Sequence, residues 1–86
     1  MMSKKKPTEN EICETGSWDT WSKEPSFFPW YYDERETCYI LEGSATVTAS
    51  DGTAMSFEQG DLVTFEQGLD CTWKIAKTIR KKYRFG

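Results

Sequence analysis

The sequence lacks histidine altogether, so no imidazole is available to ligate a metal or to pair with a thiol. Its three cysteines, Cys13, Cys38 and Cys71, are an odd number without clustered spacing, which indicates neither a disulfide framework nor a zinc module. No apolar run approaches the length of a membrane span, and no basic start followed by an apolar centre marks a signal peptide. These absences predict a cytoplasmic protein in a reducing compartment, without a membrane partner.

Positive charge is also in short supply, since 14 acidic residues face 11 basic ones and the net charge is −3. This balance argues against nucleic acid as a partner. The basic residues cluster at Lys4–Lys6 and at positions 80–84. We interpret both clusters as solubilising charge on a tail and an edge strand, with an anion contact as the alternative.

Aromatic residues are abundant instead, at 15% of the 86 residues. Because each aromatic side chain buries a large area, a few of them can build a compact core in a short chain. The polar, lysine-rich start of the chain predicts a disordered N-terminal tail over residues 1–12. Residues 13–86 are then expected to form a single domain.

Short runs of β-favouring residues alternate with turn signals along that domain, and no convincing amphipathic helix interrupts them. Asp51-Gly52 predicts a two-residue hairpin turn with positive φ at both central positions. The tetrapeptide Phe-Glu-Gln-Gly occurs at Phe57 and again at Phe65, which predicts two similar β-turns. Pro29 predicts an edge or bulged strand, and Gly43 is expected to turn the chain. The pattern indicates an all-β, antiparallel barrel or sandwich.

Three segments, 30–33, 36–43 and 60–65, carry a resemblance to a known family. They resemble the small cupins, and within them the short single-domain members related to (S)-ureidoglycine aminohydrolase and the ethanolamine-utilisation cupins. The resemblance covers roughly residues 18–83. It implies a small antiparallel β-barrel or jelly roll with no significant helix, and a homodimer.

The first cupin motif is matched in its glutamate and glycine and departs in its histidines. Glu36 and Gly43 have the motif's spacing, while the two histidine positions fall on Trp30 and Tyr32 or their neighbours. Some relatives carry another histidine in a C-terminal Arg-Lys-His-Tyr segment, which reads Arg-Lys-Lys-Tyr here, at 80–83. The three-histidine, one-glutamate metal site of most cupin enzymes therefore cannot form, and we predict no metal and no cofactor.

The second cupin motif is matched at Gly60 and Gly68, with Glu66 at its proline position and Cys71 at its histidine position. The resemblance implies that alternate residues of two strands face into the barrel: 36, 38 and 40 of one, 71, 73 and 75 of the other. The lumen would be a small, largely apolar pocket. The predicted ligand-binding residues are Trp30, Tyr32, Glu36, Cys38, Cys71 and Trp73.

For each of these residues, the alternative to a role in ligand binding is a role in the fold alone. Glu36 is an acid/base, a ligand anchor or the remnant of a metal site, or else a carboxylate held by hydrogen bonds to Tyr32 or Arg80. The two inner cysteines are interpreted as buried apolar fillers, although a zinc site with Glu36 and a disulfide are chemically possible. Trp30, Tyr32 and Trp73 have packing in the core as their alternative role, and Trp18 and Trp21 are expected in packing or in a dimer interface.

The sequence therefore leaves three functions open. The leading one is a metal-free cupin that binds an unidentified small molecule in its lumen. The second is a hydrolase or isomerase of a small polar metabolite, with Glu36 as acid/base and Tyr32 orienting the substrate. The third is a structural or regulatory dimer that acts through protein contacts.

Overall fold

The computed structural model describes residues 1–86 and consists of seven antiparallel strands and one short helix. This confirms the predicted all-β fold. The elements are β1 (Met2–Lys5), α1 (Glu9–Glu14), a 3-10 turn (Thr15–Ser17), β2 (Asp19–Lys23), β3 (Ser26–Tyr31), β4 (Glu36–Ala49), β5 (Ala54–Glu58), β6 (Leu62–Phe65) and β7 (Asp70–Phe85).

The two long strands β4 and β7 pair with each other along most of their lengths and carry all the other strands. The free edge of β4 binds β6 near its start and β5 near its end, and β1 extends the sheet beyond β6. The free edge of β7 binds β3 near its start and β2 near its end. Both long strands therefore contribute to both ends of the molecule, and the sheet folds around one aromatic core.

Gly43 lies inside β4, so the prediction of a chain turn at this glycine is wrong. The pairing of β4 with β7 shifts register on both sides of Gly43, which marks a bulge. Its φ of 90° favours glycine, and a Cβ here would collide with the carbonyl oxygens of Lys77 and Thr78. Turns and bulges both use a glycine with positive φ, which is why the sequence pattern did not distinguish them.

The two Phe-Glu-Gln-Gly segments form similar β-turns, as predicted. The Asp61 N–H donates to the Glu58 carbonyl oxygen at 3.0 Å, and the Leu69 N–H donates to the Glu66 carbonyl oxygen at 3.3 Å. Each turn has its glycine third, with φ of 95° at position 60 and 91° at position 68. A type II turn needs positive φ at that place.

The β4–β5 hairpin forms where predicted, but its turn is not the expected two-residue one. Gly52 N–H donates to the Ala49 carbonyl oxygen at 2.9 Å, so the turn spans residues 49–52. Gly52 has a φ of 91°, while Asp51 keeps a negative φ. Instead of taking a left-handed conformation, Asp51 accepts the Thr53 N–H on its side chain at 2.9 Å.

The first residues are ordered, in contrast to the predicted disordered tail over 1–12. Strand β1 pairs with β6 in the register Met2 to Phe65. Thr8 caps α1 through a capping box with Glu11. The Lys6 ammonium lies 2.8 Å from the buried carboxylate of Asp61. The tail was predicted from composition, which carries no information about strand edges. In the structure, β1 covers the open edge of β6.

The core consists of stacked and edge-on aromatic rings. Trp73 contacts Phe57, Phe65 and Phe28 at centroid distances of 5.4, 5.6 and 6.1 Å. Tyr32 stacks on Phe65 at 4.8 Å. Strand β3 pairs with β7 alone, so the prediction of an edge strand around its proline is confirmed. No helix has the length and apolar character needed to cross a membrane.

Candidate functional site

A cavity of about 540 Å³ opens between β2, β3 and the C-terminal half of β7. Its walls are mostly aromatic, and its charged groups are Lys23, Glu36 and Lys81. Glu36 and Lys81 are almost completely buried and form the inner end, whereas Trp30 is half exposed at the rim. The aromatic wall consists of Trp21, Phe28, Trp30, Tyr32, Trp73, Tyr83 and Phe85.

The inner end of the cavity holds a buried ion pair. The Lys81 Nζ lies 2.8 Å from Glu36 Oε2, and the two residues are 6% and 5% exposed. Register explains the contact: Lys81 stands opposite Ile40, which shares the inward face of β4 with Glu36, and the long lysine stem covers the remaining distance. Burial of two charges is tolerated because each is the partner of the other.

Aromatic rings surround the Lys81 ammonium on its other sides. The Nζ lies 4.8 Å from the Trp21 ring centroid, 5.0 Å from that of Trp73 and 5.9 Å from that of Tyr83. Burial alone would lower the pKa of Lys81, but the cluster that contains the Glu36 carboxylate outweighs this and raises the pKa above the ordinary lysine value. Lys81 is therefore a permanent cation at neutral pH, held in an aromatic cage.

Cys38 belongs to the same cluster. Its Sγ donates a hydrogen bond to Glu36 Oε2 at 2.8 Å, so one carboxylate oxygen accepts from both the thiol and the ammonium. Burial, above all, raises the pKa of this thiol, and the Glu36 charge adds to the effect. Cys38 is therefore a protonated donor that orients Glu36, and it does not line the cavity.

The second carboxylate oxygen of Glu36 remains free of protein partners. Both hydrogen bonds of the side chain go to Oε2, and none goes to Oε1. No fully buried side-chain oxygen in the protein lacks a partner, so Oε1 is accessible, and Glu36 lines the cavity. A carboxylate oxygen can only accept hydrogen bonds. The inner end of the cavity therefore offers an acceptor to an incoming donor.

The sequence predicted Tyr32 or Arg80 as the hydrogen-bond partner of Glu36. In the structure, Cys38 and Lys81 are its partners instead. Arg80 lies at the surface, 3.6 Å from Glu42. The Tyr32 hydroxyl accepts the Trp73 indole N–H at 3.1 Å, and burial together with the Glu36 charge raises the pKa of Tyr32. Lys81 was missed although it alternates with Ile79 and Tyr83 along β7, a period-two signal that places it on the same inward face as Ile79.

Four of the six predicted ligand-binding residues line the cavity: Trp30, Tyr32, Glu36 and Trp73. The two cysteines do not. Cys71 is buried, donates to the Trp30 carbonyl oxygen at 3.4 Å, and has its pKa raised by burial to about 11. Both inner thiols are free, so neither joins a disulfide.

The two tryptophans expected in packing or an interface lie in different places. Trp21 forms part of the cavity wall and meets Trp73 edge-on, with their centroids 6.2 Å apart. Trp18 lies outside the cavity, with the Arg84 guanidinium 5.4 Å from its ring.

The side chains of this site do not fit the metal used by most cupin enzymes. No three Cys, Asp or Glu side chains converge closely enough to hold a metal ion. The one carboxylate at a metal-motif position, Glu36, already binds the Lys81 ammonium at 2.8 Å. A second cation on that carboxylate would be repelled by the first. We therefore derive no chemical step through a metal.

Comparison with known proteins gives a consistent family. The sequence model of the protein family described as the EutQ-like cupin domain matches residues 10–83. A DUF861 family protein from Thermotoga maritima is 46% identical, with a TM-score of 0.97 and coverage of 100% of both chains. No curated protein sequence matches the chain significantly.

Two further structures share the fold at lower identity. The putative ethanolamine utilization protein Q from Salmonella typhimurium is 24% identical over 77% of this chain and 53% of its own, with a TM-score of 0.70. The EutQ protein of Clostridium difficile is 20% identical over 77% of this chain and 52% of its own, with the same TM-score of 0.70. The chain thus spans about half the length of either protein.

Proposed function

The chain belongs to the family of EutQ-like cupin domains, and on that premise we propose that it binds a small organic molecule in the cavity between β2, β3 and β7. The observation that carries the proposal is an open carboxylate oxygen, Glu36 Oε1, at the inner end of an aromatic cavity. Ligand sites are typically apolar cavities with a few well-placed polar groups.

The size and the walls of the cavity support this proposal. A volume of about 540 Å³ suits a molecule of one or two rings. Trp30 is 52% exposed and Phe85 53% exposed, so both large rings present apolar surface to water at the rim. A ligand that covers these rings removes apolar area from water, which is favourable.

The proposal is tested by thermal unfolding of the protein against a library of small metabolites. Occupancy at about ten times Kd stabilises by about 1.4 kcal/mol, which raises Tm by roughly 6–10 °C for a chain of this size. Trp30→Ala is expected to weaken every hit, whereas Trp18→Ala, outside the cavity, is the matched control. Binding that survives Trp30→Ala unchanged, or a library without a single hit, contradicts the proposal.

A second candidate, catalysis, is favoured by the pairing of Glu36 with Lys81. A carboxylate with one free oxygen beside a fixed ammonium can exchange a proton with a substrate while the cation stabilises developing negative charge. Under this alternative the protein is a hydrolase or isomerase of a small polar metabolite. Any turnover found among the binding hits should fall at least about 100-fold in Glu36→Gln, with surface Glu42→Gln as control. Turnover that persists in Glu36→Gln excludes Glu36 as the acid/base.

A further inference from the structure

The charged groups of the cavity do not cancel. Lys23 and Lys81 contribute two positive charges and Glu36 one negative charge, so the lining carries a net charge of +1. Glu36 and Lys81 neutralise each other at 2.8 Å. Lys23 has no carboxylate within ion-pair distance; its Nζ lies instead 5.2 Å from the Phe28 ring centroid. The uncompensated charge is therefore at Lys23, on an exposed residue beside the aromatic wall.

The aromatic cage at the inner end is closed to a cationic ligand. Rings around an ammonium are the usual device for binding amines and quaternary ammonium groups. Here Trp21, Trp73 and Tyr83 already surround the protein's own ammonium, that of Lys81. Glu36 neutralises Lys81, so the uncompensated charge that a second cation entering the cavity meets is that of Lys23, which repels it.

The aromatic wall, the free oxygen of Glu36 and the unpaired Lys23 each favour a particular part of a ligand. Phe28 and Trp73 both line the cavity and lie nearly parallel, with an interplanar angle of 9° and centroids 6.1 Å apart, so the wall favours a flat, apolar ring system. At the buried end, Glu36 Oε1 requires a hydrogen-bond donor. At the exposed end, Lys23 favours an anionic group.

Resting on the proposed function, we infer that the ligand is a flat organic anion: an aromatic carboxylate whose acid group faces Lys23 and whose opposite end carries a hydroxyl that donates to Glu36 Oε1. The aromatic wall holds the ring system between these two ends. Neither the family comparisons nor the cupin motifs assign this chemistry, which follows from the position of one unpaired lysine and one unpaired carboxylate oxygen.

Calorimetric titration with four matched naphthalenes tests the inference. The probe 6-hydroxy-2-naphthoate carries both the carboxylate and the hydroxyl donor. Of the other three, 2-naphthoate lacks the hydroxyl donor, 6-hydroxy-2-naphthamide lacks the negative charge, and 6-(aminomethyl)-2-naphthol carries a positive charge in its place. We expect the hydroxy acid to bind best. Loss of the donor should weaken binding about tenfold. Loss of the charge should weaken it about threefold at low salt and less at high salt.

Lys23→Gln isolates the charge without disturbing the core, since Lys23 is exposed. The variant should abolish the preference for the acid over the amide and leave amide affinity unchanged. The control is Lys74→Gln, an exposed lysine of β7 that does not line the cavity. Tighter binding of the amine, or a preference for the acid that survives Lys23→Gln, overturns the inference.

The same titrations separate this inference from the proposed function. If neutral or cationic molecules bind at least as tightly as the acid and Trp30→Ala weakens them, the cavity is a binding site and the anionic specificity is wrong. If neither the naphthalenes nor the wider metabolite library bind, the proposed function fails, and the inference fails with it. Binding of the hydroxy acid that is weakened both in Lys23→Gln and in Glu36→Gln supports both.

Discussion

At the scale of single residues, the decisive feature is a lysine in the core of a protein of 86 residues. Lys81 is 6% exposed and joins Glu36, Cys38 and three aromatic rings into one cluster. A buried ion pair of this kind contributes little net stability compared with apolar residues of the same volume. Its conformational consequence is larger, because the pair fixes Glu36 and leaves one oxygen directed at the cavity.

Replacing Lys81 by Met should destabilise the protein by about 3–5 kcal/mol at neutral pH, because Glu36 is left as a buried, unpaired charge. Glu36→Gln together with Lys81→Met removes both charges, and the double variant should recover about 1–3 kcal/mol relative to the sum of the two single changes. Urea unfolding of all four proteins measures this coupling. Simple additivity of the two changes would show that the pair is not coupled in the folded protein.

Gly43→Ala should destabilise by about 3 kcal/mol or more, because the new Cβ meets two carbonyl oxygens of β7 in addition to the strain of positive φ. Gly52→Ala is the matched control. It has nearly the same φ, 91° against 90°, and no atom within 4 Å of the added Cβ. This variant should cost about 1 kcal/mol. Equal losses in urea unfolding would mean that backbone strain, and not the close approach of β7, requires a glycine at position 43.

At the scale of the element, one buried carboxylate, that of Asp61, links the N-terminal segment to the β5–β6 turn. Asp61 accepts the Glu58 N–H at 2.9 Å and pairs with Lys6 at 2.8 Å. Burial alone would raise the pKa of Asp61, but the Lys6 ammonium and the Glu58 N–H outweigh it and hold the pKa below its ordinary value. The same side chain thus stabilises the β5–β6 turn and attaches the segment between β1 and α1.

A carboxyl whose pKa is depressed by folding stabilises the folded state above its unfolded pKa, near about 4 for aspartate, and loses that contribution as the pH falls below it. Asp61→Asn should therefore be less stable than the parent protein at pH 7, and the difference should shrink as the pH is lowered below about 4. Amide hydrogen exchange of β1 should accelerate in the same variant. Asp19→Asn, an exposed change on β2, serves as control. A difference independent of pH would contradict the assigned role of Asp61.

An element could be predicted from the sequence when the residues and hydrogen bonds that form it lie close together in the chain. The turns after Phe57 and Phe65 were predicted correctly because the glycine and its hydrogen bond lie within four residues. The β1–β6 pairing was missed, since it joins Met2 to Phe65 through contacts that no local pattern encodes. Glu36 was recognised from its motif spacing.

The partner of Glu36 required a different kind of information. Lys81 was assigned to a solubilising basic cluster because charge normally lies outside. Alternation with Ile79 gives its inward orientation, but its position near Glu36 depends on the register between β4 and β7, which the bulges at Gly43 shift.

At the scale of the whole molecule, β3 leaves one side of the sheet exposed. It pairs with β7 on one edge alone, and Phe27 and Tyr31 on it are 74% and 59% exposed. An open edge beside large apolar side chains is a common site of association. We propose that a second copy of the chain covers this edge and that the protein is a homodimer.

Sedimentation velocity of the untagged protein tests the dimer, which should persist at about micromolar concentration if its interface has the standard size for specific complexes. Tyr31→Lys places a charge on the edge and should shift the protein to monomer, because charge on an edge opposes strand pairing. Thr48→Lys, an exposed strand position away from this edge, should leave the dimer intact. A monomer for the parent protein at every concentration would contradict the proposal.

The dependence of β2 and β3 on β7 alone has a consequence for the order of events during protein synthesis. These two early strands emerge from the ribosome well before the only segment with which they can pair. Contacts between such distant parts of a chain form slowly, because the long intervening loop must first be closed. The aromatic residues of β2 and β3 therefore stay exposed until the sixteen residues of β7 have emerged, and during that interval the nascent chain is most susceptible to aggregation and most in need of a chaperone.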